Sequence, residues 1–347
     1  MTMRTPETTS IDRRIGYVGH DVPVELILAA NALPSALRGR VGVPTANADR
    51  YLEPTFSPAS RSIAEQWLEG ELDDFDAVVF SRSDDSAQRL YYYLCELQRR
   101  DLCGGPRPLM YDIASADRES SFSHTVAATR QLALQLGTSE QSLPSAIQRV
   151  TVRTDLLIEA LQSTQSGRPA RGSFIQRRVQ AAYGDWSPGF DQTLEDSQDP
   201  LPARTDATPL MLIGSAPGDE RLHEAAERAG ANIIATLNAS TPYCTSAAEN
   251  NSDAFEQIAH RCRAHPWRSM LQSPETFCAR ATELQVAGVI LWVLAEDTGL
   301  SWVNPRLERA LREHGIPVLS LTMQQWNTPA ATLDAIVEFA NSVRVQA

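Results

Sequence analysis

The chain reads as an α/β protein: two Rossmann-like or flavodoxin-like parallel-sheet units with a helical segment between them. Three observations predict this. Short apolar runs such as Ala77-Val78-Val79-Phe80, Leu210-Met211-Leu212-Ile213 and Gly288 to Val293 have the length and unbroken hydrophobicity of strands buried on both faces. Polar or glycine-rich residues follow each run and lead into helical periodicity, which is the pattern of a parallel crossover. A chain of 347 residues is also long enough for two such units, each with its own core.

The first unit is expected over residues 1–122. Ile15 to Val18 reads as a strand, and a turn through Gly19-His20-Asp21 leads to a helix entered near Pro23. Proline in a first helical turn sacrifices no hydrogen bond, and Leu26, Ile27, Ala30 and Leu33 share one face before Pro34 ends the run. Ala77 to Phe80 is a strand entered from Phe75 and Asp76. The polar cluster Ser81 to Ser86 then caps a helix through Arg89, Leu90 and Tyr93. After the Cys103-Gly104-Gly105-Pro106 turn, Pro108 to Ile113 is the next strand.

Residues 123–184 read as the helical segment, with Ile147, Val150, Leu157, Ala160 and Leu161 spaced for one buried face. Residues 185–209 collect Pro188, Gly189, Pro200, Pro202 and Pro209 among acidic side chains and are the expected linker. The second unit, 210–347, alternates cleanly. Leu210 to Ile213 is a strand, Gly214 to Gly218 a loop, Asp219 to Ala229 a helix stopped by Gly230, and Asn232 to Thr236 a strand. Ser273-Pro274-Glu275 starts a helix, Gly288 to Val293 is a strand, Pro305 to Glu313 a helix, and Pro317 to Leu321 the last strand.

Composition narrows the function. The formal net charge of -12 disfavours nucleic acid as a partner. All 31 basic residues are arginine, so Schiff-base chemistry and a Walker lysine are excluded, and any anion must be held by arginine forks or backbone amides. No apolar run reaches membrane-spanning length, and the polar start from Met1 to Arg14 lacks the core of a secretory signal, so a cytoplasmic location is expected. The five cysteines, Cys95, Cys103, Cys244, Cys262 and Cys278, have no CxxC pair or zinc-type spacing and read as small apolar side chains.

Few local patterns carry chemistry. The loop with Gly214, Ser215 and Gly218 can present backbone N–H groups to a phosphate, including that of coenzyme A. A tight strand-to-helix turn explains the same residues without a ligand. His260 and His265 flank Cys262, yet without a further local ligand this reads as a helix end rather than a zinc site. Ser60, Ser123 and Ser215 stand in no recognisable nucleophile motif.

One segment is more specific. Gly16-Tyr17-Val18, Pro23-Val24-Glu25-Leu26 and Ala29-Ala30-Asn31-Ala32-Leu33-Pro34 form a signature of a Gly-aromatic strand, Pro-x-Glu-Leu and a Leu-Pro ending, with Asn31 where a glycine is more usual. With Ala48 to Ser57, Asp76 to Tyr91, the Gly214 loop and Gly288 to Leu321, it resembles the D-component family of 2-hydroxyacyl-CoA dehydratases and benzoyl-CoA reductases. The family's closing Arg-x-Glu-Ala-Phe pattern survives only as Leu333 to Phe339.

The resemblance implies paired subunits, an acyl-CoA substrate, an activator that feeds one electron, and an iron-sulfur cluster held by three cysteines. In this chain Ser57, Asp84 and Asp297 stand at the cysteine positions. Hard oxygens are poor ligands for such a cluster, so none is expected on this chain, and any cluster would sit on a partner subunit. The partner would be a related cluster-bearing subunit or a second copy of this chain. Ser57, Asp84 and Asp297 remain candidate site residues, as an acid/base pair or a divalent-ion site if they lie close; the plainer alternative is that Asp84 and Asp85 cap the following helix and Asp297 is a solvated loop residue.

Overall fold

The computed structural model describes residues 13–114, 116–165, 169–196, 203–242, 253–265 and 267–344. One four-stranded sheet holds β1 (Arg14–Val18), β2 (Leu33–Ala36), β3 (Ala77–Ser81) and β4 (Arg107–Tyr111), all parallel, in spatial order β2-β1-β3-β4. A second holds β5 (Thr208–Gly214), β6 (Ala231–Leu237), β7 (Gly288–Leu294) and β8 (Val318–Gln324), also parallel, in order β6-β5-β7-β8. The chain is therefore α/β with two parallel-sheet units, and both sheets follow one plan. The first strand is internal, its successor lies to one side, and the next two lie to the other.

Strand alternation explains why these runs are apolar throughout. In β3, Ala77 and Val79 face one core with Ile15, Tyr17, Leu109 and Tyr111, while Val78 and Phe80 face another with Ile63, Trp67, Leu90 and Leu94. In the second sheet Leu210, Leu212, Ile290 and Trp292 face one side, and Met211, Ile213, Val289 and Leu291 the other.

Helices α1 (Val24–Ala29), α2 (Pro58–Leu68) and α3 (Asp85–Arg99) serve the first sheet. Then come α4 (Glu119–Leu136), α5 (Leu143–Gln162), α6 (Gly172–Gly184) and α7 (Pro188–Asp196). Helix α7 forms inside the proline-rich stretch, held by Asp191, which pairs with Arg149 and Arg153 of α5. In chain order with the second sheet's strands come α8 (Arg221–Arg228), α9 (Ala254–Arg263), α10 (Trp267–Gln272), α11 (Pro274–Glu283), α12 (Thr298–Glu313) and α13 (Ala330–Arg344).

Helix α9 follows the second sheet's β6 in sequence but buries Phe255, Ile258 and Cys262 in the first sheet's core. Its Arg261 forks onto Glu25, the signature glutamate, at 2.5 Å from Nε and 2.8 Å from Nη2. Glu25 is 1% exposed, so this pair ties α9 to α1 through a buried carboxylate, with the Arg261 side chain partly exposed.

Two local expectations shift. Helix α1 stops at Ala29, and Leu33 and Pro34 belong to β2, where Pro34 pairs with Ile15. Asn31 makes the break, with φ +52°, a left-handed conformation that glycine takes most easily and asparagine tolerates. The helix expected from Pro305 begins at Thr298 and holds Pro305 inside it. The Asp297 cap fixes that start, and buried Leu300, Leu307 and Leu311 hold the helix on both sides of the proline. No helix among the described residues is long and apolar enough to cross a membrane.

Candidate functional site

The first crossover of each sheet covers one face and the later ones the opposite face, which makes the carboxyl ends of β1 and β3, and of β5 and β7, topological switch points. Ligands gather at such points in open parallel sheets. A cavity of about 250 Å³ lies between the two sheet units there, lined among others by His20, Arg38, Asp84, Gly218 and Tyr183. Helix α6 bridges it by packing against both β2 and β6. The Tyr17 hydroxyl donates to the Tyr183 carbonyl at 2.9 Å, and the Tyr183 hydroxyl to the Ser240 carbonyl at 3.3 Å.

Ser57, Asp84 and Asp297 are all N-caps. Ser57 Oγ accepts from Ser60 N at 3.2 Å at the head of α2. Asp84 Oδ1 accepts from Ala87 N at 2.9 Å at the head of α3, and Asp297 Oδ1 from Leu300 N at 3.1 Å at the head of α12. Ser57 and Asp84 share the cavity wall, and Ser57 N donates to Ser86 Oγ at 3.2 Å, which joins the two caps. Asp297 does not line this cavity. Its Oδ2 accepts from Ser215 Oγ at 3.0 Å, and that same hydroxyl accepts from Leu294 N at 3.1 Å.

The Gly214 loop is stitched to its own sheet. Ser215 N donates to the Trp292 carbonyl at 2.8 Å. Gly214 has φ +139°, and a Cβ there would stand 1.9 Å from the Trp292 carbonyl oxygen, so only glycine fits. Farther along, Ala216, Pro217 and Gly218 reach the cavity wall. The Trp326 indole passes where side chains at Gly218 or Gly39 would stand, which closes the two units against each other.

Electrostatics single out two residues that sequence reading did not assign to a site. His20 is open to the cavity, but protein crowds its other sides and pulls its pKa below the ordinary value, against opposing pulls from Asp21 and Asp84. Its Nε2 lies 3.0 Å from Ser240 Oγ. Arg38 is half-buried, with its pKa lowered by burial, and no described residue pairs with its guanidinium or accepts a hydrogen bond from it. Nothing local marks Arg38 in sequence, because Arg40, two residues on, is an ordinary surface ion pair with Glu71.

The cluster implied by family resemblance does not fit the described residues. The three positions offer carboxylate and hydroxyl oxygens already bound to helix caps, and no described cysteine lines the cavity. Cys244 lies outside the described residues. Cys262 is deeply buried, and burial pushes its thiol up to about 12. Among the described residues, no three His, Cys, Asp or Glu side chains come together as a metal site. His260 and His265 flank this buried Cys262 at the end of α9.

The fold and the position of the cavity define an α/β protein with two parallel-sheet units and a cavity between them at paired switch points. The chain belongs to the family described as 2-hydroxyglutaryl-CoA dehydratase, D-component, whose model matches residues 20–339. No individual curated protein gives a significant match.

Proposed function

We propose that this chain is a dehydratase-family subunit that has given up its own cluster ligands and forms an acyl-CoA site with a cluster-bearing partner. One observation carries the reading: at all three cysteine positions the side-chain oxygen closes a helix N-terminus, and Asp297 is further committed to Ser215. Three hard, occupied oxygens in place of three thiolates make a poor ligand set for an iron-sulfur cluster. A D-component is by description one part of a larger enzyme.

In this reading the acyl end enters the cavity, whose volume of about 250 Å³ leaves the nucleotide outside. Since Ser215 N is bound to Trp292, contact with a phosphate would fall to the Gly218 end of the loop. Protein groups would position the thioester, and electron transfer would belong to the partner. The four free thiols, with no disulfide among the described residues, suit a cytoplasmic setting.

A second reading, a cluster-free binding protein on the same fold, is favoured by Arg38, a cavity cation with no acid partner among the described residues. Anaerobic co-expression with a related subunit that retains the three cysteines separates the two. A stable complex that binds acyl-CoA more tightly than either chain alone supports the subunit reading. Failure of both complex formation and acyl-CoA binding sinks it.

A further inference from the structure

We propose that the interdomain cavity binds a small organic carboxylate with an apolar body, anchored by the Arg38 guanidinium. The site needs neither coenzyme A nor a partner subunit; it rests on the second, cluster-free reading of the same cavity, and its test uses the isolated chain, so its failure is distinct from that of the subunit reading.

A charge taken partly out of water is costly unless something pairs with it, so cations in protein clefts normally face a carboxylate. Arg38 departs from this rule. Its perturbing neighbours are the phenols of Tyr17 and Tyr183, both of which burial holds in the neutral form, Tyr183 up to about 12. Asp84, the acid on the same wall, acts on His20 rather than on Arg38 and is bound to the α3 cap. The cavity lining therefore includes a planar fork of donors with an unmet demand for a planar anion, and a carboxylate matches that fork two bonds to two.

The remaining walls describe the rest of the ligand. Leu37, Ile63, Ile175 and Val179 are apolar, and Gln176 and Gln180 of α6 supply neutral polar groups. About 250 Å³ is below the range of roughly 300–1,000 Å³ usual for drug-sized ligands, which suits a small acid. A phosphate dianion fits less well, because a single arginine would face two charges in a chain of net charge -12.

The test uses pairs of equal shape on the full chain: phenylacetate against phenylacetamide, and valerate against valeramide, by calorimetry and thermal shift. The acids are expected to bind at least about tenfold more tightly than the amides, equivalent to about 1.4 kcal/mol. Arg38→Gln should abolish that preference, and Arg38→Lys should retain part of it. Ligand-free Arg38→Gln should melt at or above the parent temperature, since it removes an unpaired, half-buried charge. A purely structural arginine would instead leave a destabilised protein. The proposal is overturned if acid and amide bind alike, if neither binds at millimolar concentration, or if Arg38→Gln lowers the melting temperature while keeping the acid preference.

Discussion

The two sheets of this protein share one strand order, yet the same corner of each has a different fate. In the first half, Gly19 and His20 follow β1, and Asp84 caps the helix after β3. In the second, Gly214 and Ser215 end and follow β5, and Asp297 caps the helix after β7. Both glycines have positive φ, and a side chain at either would strike the neighbouring strand, Ser81 in one half and Trp292 in the other. From there the halves diverge. Ser215 bonds Asp297 directly and closes its corner, whereas His20 makes no hydrogen bond to Asp84 and faces a cavity with Arg38 and Ser240. Identical topology thus supplies the location of a site, and the side chains decide whether it opens.

The largest expected effect tests how far the halves depend on each other. Glu25→Ala removes the buried carboxylate that Arg261 pairs with and loosens α9 from the first sheet's core, and should cost about 3 kcal/mol in urea denaturation. A loss below about 1 kcal/mol would mean that α9 is held by its apolar face alone.

A second test contrasts the histidines. His223, in the second half, is fully buried and bonds Thr236 Oγ1 at 2.9 Å, and desolvation lowers its pKa to about 4. Its neutral form is therefore favoured in the folded state, so its contribution is complete above pH 6.5 and is lost as pH falls toward 4. The loss is on the order of 3 kcal/mol. His223→Gln should flatten that slope, as read from unfolding free energies across this window. An unchanged slope would move its origin elsewhere, including to His20, whose shift has the same sign.

The caps give smaller effects. Asp297→Ala removes the α12 cap and the partner of Ser215, and should cost about 2 kcal/mol. Asp84→Ala removes a cap alone and should cost about 1 kcal/mol. Equal losses would erase the distinction between a closed corner and an open one. The smallest effect belongs to Ser57→Ala, expected at about 0.5 kcal/mol by the same denaturation measurement, because its cap bond is long at 3.2 Å.

Much of this was legible in the sequence because it is local. Continuous apolar runs identify central strands buried on both faces, and Asp84 precedes its helix in the usual manner of a cap, whereas the caps at Ser57 and Asp297, the latter expected as a loop residue, emerge only in the structure. The unusual Asn31 had a local signal as well, since glycine's position in the signature is where the backbone turns left-handed. What escaped sequence reading depends on distant contacts. Helix α9 joins the first core through buried Phe255, Ile258 and Cys262 and through Arg261, which meets Glu25 across 236 positions. Helix α7 forms in a proline-rich stretch because Arg149 and Arg153 hold Asp191. Pro305 was read as a helix start because proline favours first turns, but the Asp297 cap sets the boundary earlier. Arg38 and Ser240 acquire meaning only when two sheets converge, and no periodicity in one segment encodes that.

The most direct measurement of the central claim, that the three cysteine positions now serve as helix caps and hold no cluster, is anaerobic reconstitution of the isolated chain with iron and sulfide. Iron and labile sulfide should then be quantified after desalting. Trace iron with no broad visible absorption is the expected result. Stoichiometric iron and sulfide that stay with the folded chain would contradict it.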